Sequence, residues 1–114
     1  MATPNVSLSV SQTSRGSKSI KCTYTLSSIE SGASLEFYVR PPSGSYVHMS
    51  DYDGSASNGT FNKTLNVSDI WTDYGNYAVR LWVYNNSTDK DSDDDIAVME
   101  SAHSDPTVSN FTVE

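Results

Sequence analysis

Cysteine is almost absent. Cys22 is the single one in 114 residues, so no intrachain disulfide can form, and the fold must rest on packing and backbone hydrogen bonds. Basic residues are scarce as well. Seven Lys and Arg face fourteen Asp and Glu, for a net charge of −7. That field repels nucleic-acid phosphates and anionic membranes, and no basic stripe offsets it, so no nucleic-acid partner is expected. No apolar run approaches the length of a membrane span, so no membrane insertion is expected either. The opening Met1-Ala2-Thr3-Pro4-Asn5 has neither a charged nor an apolar leader region. The chain is therefore expected to act without secretion, or to be cut from a longer protein. The two histidines, His48 and His103, lie in separate segments without a second ligand at metal spacing, so zinc is not expected. No glycine-rich phosphate loop and no nucleophile motif occur, and the chain reads as a non-enzyme. An apolar fraction of 36% suits a thin sandwich with two wet faces better than a large enzyme core.

What is present is period-two alternation, the mark of half-buried strands. Val6, Leu8 and Val10 alternate with serines, and Ile20, Cys22, Tyr24 and Leu26 alternate with Lys and Thr. Leu35, Phe37 and Val39 repeat the pattern, as do Tyr77, Val79, Leu81 and Val83. Phe61, Leu65 and Val67 share one parity, with Lys63 as its exception. Ile96 and Val98 form a shorter run, and Val108, Phe111 and Val113 a weak last one. Turn residues separate the runs, notably Ser14–Ser17, Ser31-Gly32, Pro41–Gly44 and Asp51–Gly54, and Tyr46–Ser50 fits a short edge strand. The spacing predicts one all-β sandwich domain over residues 1–114, with about seven to eight antiparallel strands and no helix.

Three segments carry a family resemblance. Ser19-Ile20-Lys21-Cys22-Thr23-Tyr24 looks like a B strand with an inward cysteine. Leu35-Glu36-Phe37-Tyr38-Val39 looks like a C strand, with Phe37 or Leu35 in the place of the usual core tryptophan. Leu65-Asn66-Val67 followed by Asp73-Tyr74-Gly75-Asn76-Tyr77 looks like strand E running into an Asp-x-Gly-x-Tyr corner. Together they resemble immunoglobulin-like domains. The resemblance implies that the Tyr77 hydroxyl bonds back to the chain, that Asp73 and Gly75 shape the turn, and that Cys22 is inert packing. Val79 stands where many relatives carry the second cysteine. The resemblance is therefore to disulfide-free branches, including bacterial surface modules and tailed-phage decoration and tail proteins. Trp71 is expected to pack at the corner.

Two candidate sites follow. Asp89, Asp91, Asp93, Asp95 and Glu100 fall at the first, third, fifth, seventh and twelfth places of a calcium loop, so calcium is the one cofactor the run could serve. The alternative is a solvated acidic tip between the last two strands, with strand structure resuming from Ile96 to Met99. The second candidate is a surface. If Tyr77, Val79, Leu81 and Val83 face inward, then Arg80, Trp82 and Tyr84 face outward, joined across the sheet by Tyr38 and Arg40. Tyr, Trp and Arg are the residue types that dominate binding hot spots. The plainer reading is β-propensity, or a face covered by another segment. The expected function is a structural, display or adhesion module on a virion or an extracellular cell surface. It would contact a capsid, tail or cell-surface protein. The alternative is a carbohydrate-binding module in which Tyr38, Trp82 and Tyr84 stack on a glycan. The sequons, for example at Asn62 and Asn66, would be glycan acceptors in a secreted eukaryotic protein; the plainer reading is that a chain this rich in Asn, Ser and Thr makes them by chance.

Overall fold

A computed structural model describes residues 3–102. Among these described residues are eight strands: β1 (Asn5–Gln12), β2 (Ser19–Ser27), β3 (Ser34–Arg40), β4 (Val47–His48), β5 (Gly54–Ser55), β6 (Gly59–Asn66), β7 (Gly75–Tyr84) and β8 (Lys90–Met99). Short 3-10 turns at Ser50–Tyr52 and Ser68–Ile70 are the only helical pieces among the described residues. The strands form two antiparallel sheets, β1-β2-β6 and β4-β3-β7-β8, with β5 also paired to β3. The expected last run at Val108, Phe111 and Val113 lies outside the described residues.

The alternating residues of β1, β2, β3 and β7 meet between the sheets, as their parity predicts. Leu8, Val10, Ile20, Cys22, Leu26, Leu35, Phe37, Val39, Val79, Leu81 and Val83 are all buried in one cluster. Phe37 sits at its centre, edge-on to Tyr24 at 5.7 Å. Burying side chains of this kind stabilises by about 1.5–3 kcal/mol each, and with no disulfide this burial is the main cohesive term. Lys63 keeps the inward parity of its neighbours because it lies at the rim. Its ammonium donates to the Tyr52 carbonyl at 2.9 Å and stands 5.2 Å from the Phe37 ring centre.

The corner before β7 is tied as expected. The Tyr77 hydroxyl donates to the Asp73 carbonyl at 2.8 Å and accepts from the Thr72 N–H at 3.3 Å. Trp71 stacks on the Tyr77 ring at 5.1 Å. Asp73 turns its own carboxylate onto the Tyr74 N–H at 2.7 Å. Gly75 is required twice over. Its φ is +138°, and a Cβ there would stand 3.2 Å from Pro42 Cγ.

Two expectations about the last strand are corrected. The acidic run is not a hairpin tip, because β8 starts at Lys90 and carries Asp91 to Asp95 as ladder residues opposite Val83 to Val79. Nor do Ile96 and Val98 face the core: they are 51% and 56% exposed, while Ala97 and Met99 are buried. The cause is the neighbouring strand. The N–H groups of Val6, Leu8 and Val10, on the edge of their own sheet, donate to the carboxylates of Asp91, Asp93 and Asp95 at 3.0, 2.7 and 2.8 Å. The sequence offset is 85 in each case, so β1 and β8 run parallel. Below this carboxylate ladder, Gln12 extends the seam with its side-chain amide. It donates to the Glu100 carbonyl and accepts from the Glu100 N–H, both at 3.0 Å. Side chains thus close the gap where the two sheets meet, and the odd-numbered residues of β8 must point that way.

Candidate functional site

The outer face of the β4-β3-β7-β8 sheet gathers the aromatic residues that parity had assigned to it. Strand pairing sets them in rows. His48, Tyr38, Arg80 and Asp94 form one row across four strands, and Glu36, Trp82 and Ser92 the next. Ser34, Tyr84 and Lys90 complete the face at one end. At the other end Arg40, Ala78 and Ile96 share a row. All five expected face residues, Tyr38, Arg40, Arg80, Trp82 and Tyr84, therefore lie on one surface.

The side chains on this face hold one another. Trp82 and Tyr84 stack at 5.8 Å with 22° between their planes, and the Lys90 ammonium stands 5.5 Å from the Trp82 ring and 5.9 Å from the Tyr84 ring. Tyr46 lies beneath both arginines, 4.4 Å from the Arg80 guanidinium and 5.7 Å from that of Arg40. Arg80 grips Asp94 through two bonds of 2.8 and 2.9 Å. This fork holds the Asp94 carboxyl below the usual range and raises Arg80. Tyr38 stacks on His48 at 4.7 Å and donates to Glu36 at 3.0 Å. Tyr84 donates to the same carboxylate; partial burial first and this bond second push its hydroxyl up to about 12. Tyr38 is raised by the same two causes in the same order. A shallow cleft of about 440 Å³ opens at the Ser34, Glu36 and Tyr84 end.

Between β3, β4 and the Ser50–Tyr52 turn, a group emerges that local spacing did not reveal. Glu36, His48 and Asp53 bring one ligand atom each to within 4.8 Å of one another. His48 Nε2 lies 2.8 Å from Asp53 Oδ2. Their positions in the chain give no motif; the antiparallel pairing of β3 with β4 and β5 assembles them.

The acidic run has a different geometry. Asp91, Asp93 and Asp95 each receive a β1 N–H, and Asp89 Oδ2 accepts from the Asn86 amide in the β7–β8 turn at 3.0 Å. Glu100 pairs with Arg15 at 2.6 Å. The four aspartates are strung along a strand and its entrance rather than converging on one point. Cys22 is fully buried in the core, and burial pushes its thiol up to about 12. At neutral pH it has almost no thiolate with which to react. No helix among the described residues is long and apolar enough to cross a membrane. Comparison with protein-family models, curated proteins and solved structures returns no match.

Proposed function

We propose that this chain is an immunoglobulin-like, non-enzymatic display or adhesion module that binds a protein partner through the outer face of its β4-β3-β7-β8 sheet. The strand order supports the immunoglobulin-like reading: three strands lie on one side and the third, seventh and eighth on the other. The tied tyrosine of the corner supports it too. The observation that carries the functional reading is the chemistry of one face. It concentrates Trp, Tyr, His and Arg in a preassembled network, the composition of a binding hot spot. A virion or cell surface is the setting, and a tailed-phage capsid or tail is the first choice among partners, on the resemblance alone.

The test is co-sedimentation of the purified domain with virions and with cells of its source, comparing the wild type with Trp82→Ala and with Thr23→Ala on the opposite face. Retention lost in Trp82→Ala and kept in Thr23→Ala supports the reading; retention equal in all three, or absent throughout, rejects it. The near-parallel Trp82–Tyr84 pair, with Tyr84 lining the open cleft, favours a second reading, stacking on a sugar ring. A glycan array separates the two, since a protein-binding face gives no saturable glycan signal.

A further inference from the structure

We propose that Glu36, His48 and Asp53 form a binding site for a divalent transition metal, with zinc the best fit. Zinc takes imidazole nitrogen and carboxylate oxygen at about 2.0–2.2 Å and at tetrahedral angles, which sets ligand atoms roughly 3.3 Å apart. The three atoms here already lie within 4.8 Å of one another, and the His48–Asp53 pair is at 2.8 Å. Admitting the ion therefore needs a slight parting of His48 from Asp53 and an approach by Glu36, whose flexible side chain can supply it. The imidazole favours zinc, nickel or cobalt over calcium and magnesium, which prefer all-oxygen sites.

Neighbouring groups orient all three ligands. Tyr38 and Tyr84 both donate to the Glu36 carboxylate, fixing its orientation. The Phe37 N–H donates to Asp53 Oδ1 at 3.3 Å, leaving Oδ2 for the ion. Tyr38 stacks on the His48 ring with 19° between planes and holds it in place. The His48 and Asp53 side chains keep 38% and 29% of their surface exposed, so an ion can enter from solvent. Three protein ligands leave a fourth position for water or for a group from outside the chain. The site stands on these contacts and does not depend on the partner reading.

The experiment uses tag-free, metal-stripped protein, titrated with zinc by calorimetry and with cobalt by visible absorbance. The expected result is saturable equimolar binding, with the absorption bands of tetrahedral cobalt and a higher melting temperature with zinc. His48→Ala and Asp53→Asn abolish it. Tyr84→Phe weakens it about 10–100-fold, as loss of an orienting partner does. His103→Ala leaves it unchanged. Melts of each variant without metal confirm folding. No saturable binding at millimolar zinc overturns the proposal. So does binding that survives His48→Ala, or that His103→Ala removes.

Discussion

The outward positions of β2 and β6 carry Thr23, Thr25, Thr60 and Asn62, which pair across the strands through short hydroxyl contacts of 2.8 and 2.9 Å. The outward positions of β3 and β7 carry Glu36, Tyr38, Arg80, Trp82 and Tyr84. Both sheets present the same kind of pleated surface to solvent and cover the same core. The Thr-lined face is what folding alone asks of an outer surface: β-branched, polar residues that solvate and do not stick. The aromatic face carries bulkier, costlier side chains and orders them against one another. Folding gives no reason for that difference, and the proposed binding role rests on it.

The largest effect that could break the comparison is on binding. Trp82→Ala is expected to weaken retention on the partner by roughly 30-fold or more, the size of a hot-spot loss of about 2 kcal/mol. Thr23→Ala should leave it unchanged. If both substitutions weaken it equally, the asymmetry carries no function.

Next in size is the seam joining the two sheets. Asp93→Ala strands the buried-side Leu8 N–H without an acceptor and should cost about 1–3 kcal/mol in urea denaturation. Asp93→Asn keeps an oxygen acceptor and should recover most of that loss. The cost should be the same with and without calcium if the carboxylate acts on β1 alone; a loss seen only with calcium would restore the ion-binding reading of the run.

The smallest effects are in pH dependence, where groups of opposite sign can be told apart. Folding raises the Cys22 thiol to about 12 by burial, so the native state holds a proton that the unfolded thiol releases from about 8.5 upward. Stability from this group is complete below that value and falls as pH rises toward 12; Tyr24, also raised by burial, acts in the same direction. Cys22→Ala should flatten part of this alkaline slope. For Asp94 on the aromatic sheet the sign is opposite, whereas Tyr38 and Tyr84 of that sheet, both raised, share the sign of Cys22. Asp94 is held down by Arg80, so its contribution is present above about 3.9 and is lost as pH falls through the depressed value. The pair is partly exposed, so its loss in Arg80→Ala should cost less than about 1 kcal/mol at neutral pH, and that part of the cost should vanish once Asp94 is protonated, leaving only the lost contact with Tyr46.

Much of the fold was legible because its signal is local. Val6 to Val10, Ile20 to Leu26, Leu35 to Val39 and Tyr77 to Val83 alternate so regularly that both their strand character and their inward parity follow. The same parity placed Tyr38, Trp82 and Tyr84 on one surface. β8 escaped this logic. Its period-two residues are aspartates, which look like loop or ligand chemistry, and its core residues are the small Ala97 and flexible Met99 rather than Ile96 and Val98. The signal was there in a different form: Asp91, Asp93 and Asp95 repeat with the same period as Val6, Leu8 and Val10. Matching them required knowing that strands 85 residues apart lie side by side. Glu36, His48 and Asp53 were hidden for the same reason, since only the pairing around β3 brings them together.

The parallel course of β1 and β8 also determines how the domain bears load. The start of β1 and the end of β8 lie at opposite ends of the seam, so tension applied through them pulls the two strands past each other along their length. The bonds to Asp91, Asp93 and Asp95 are then strained together rather than peeled one at a time. Forced unfolding reads the barrier to that sliding. In single-molecule stretching, Asp93→Ala should lower the peak force far more than Asp94→Ala, whose carboxylate lies outside the seam; equal peaks would place the barrier elsewhere. On that expectation the three carboxylates are a mechanical clamp for a chain that has no intrachain disulfide.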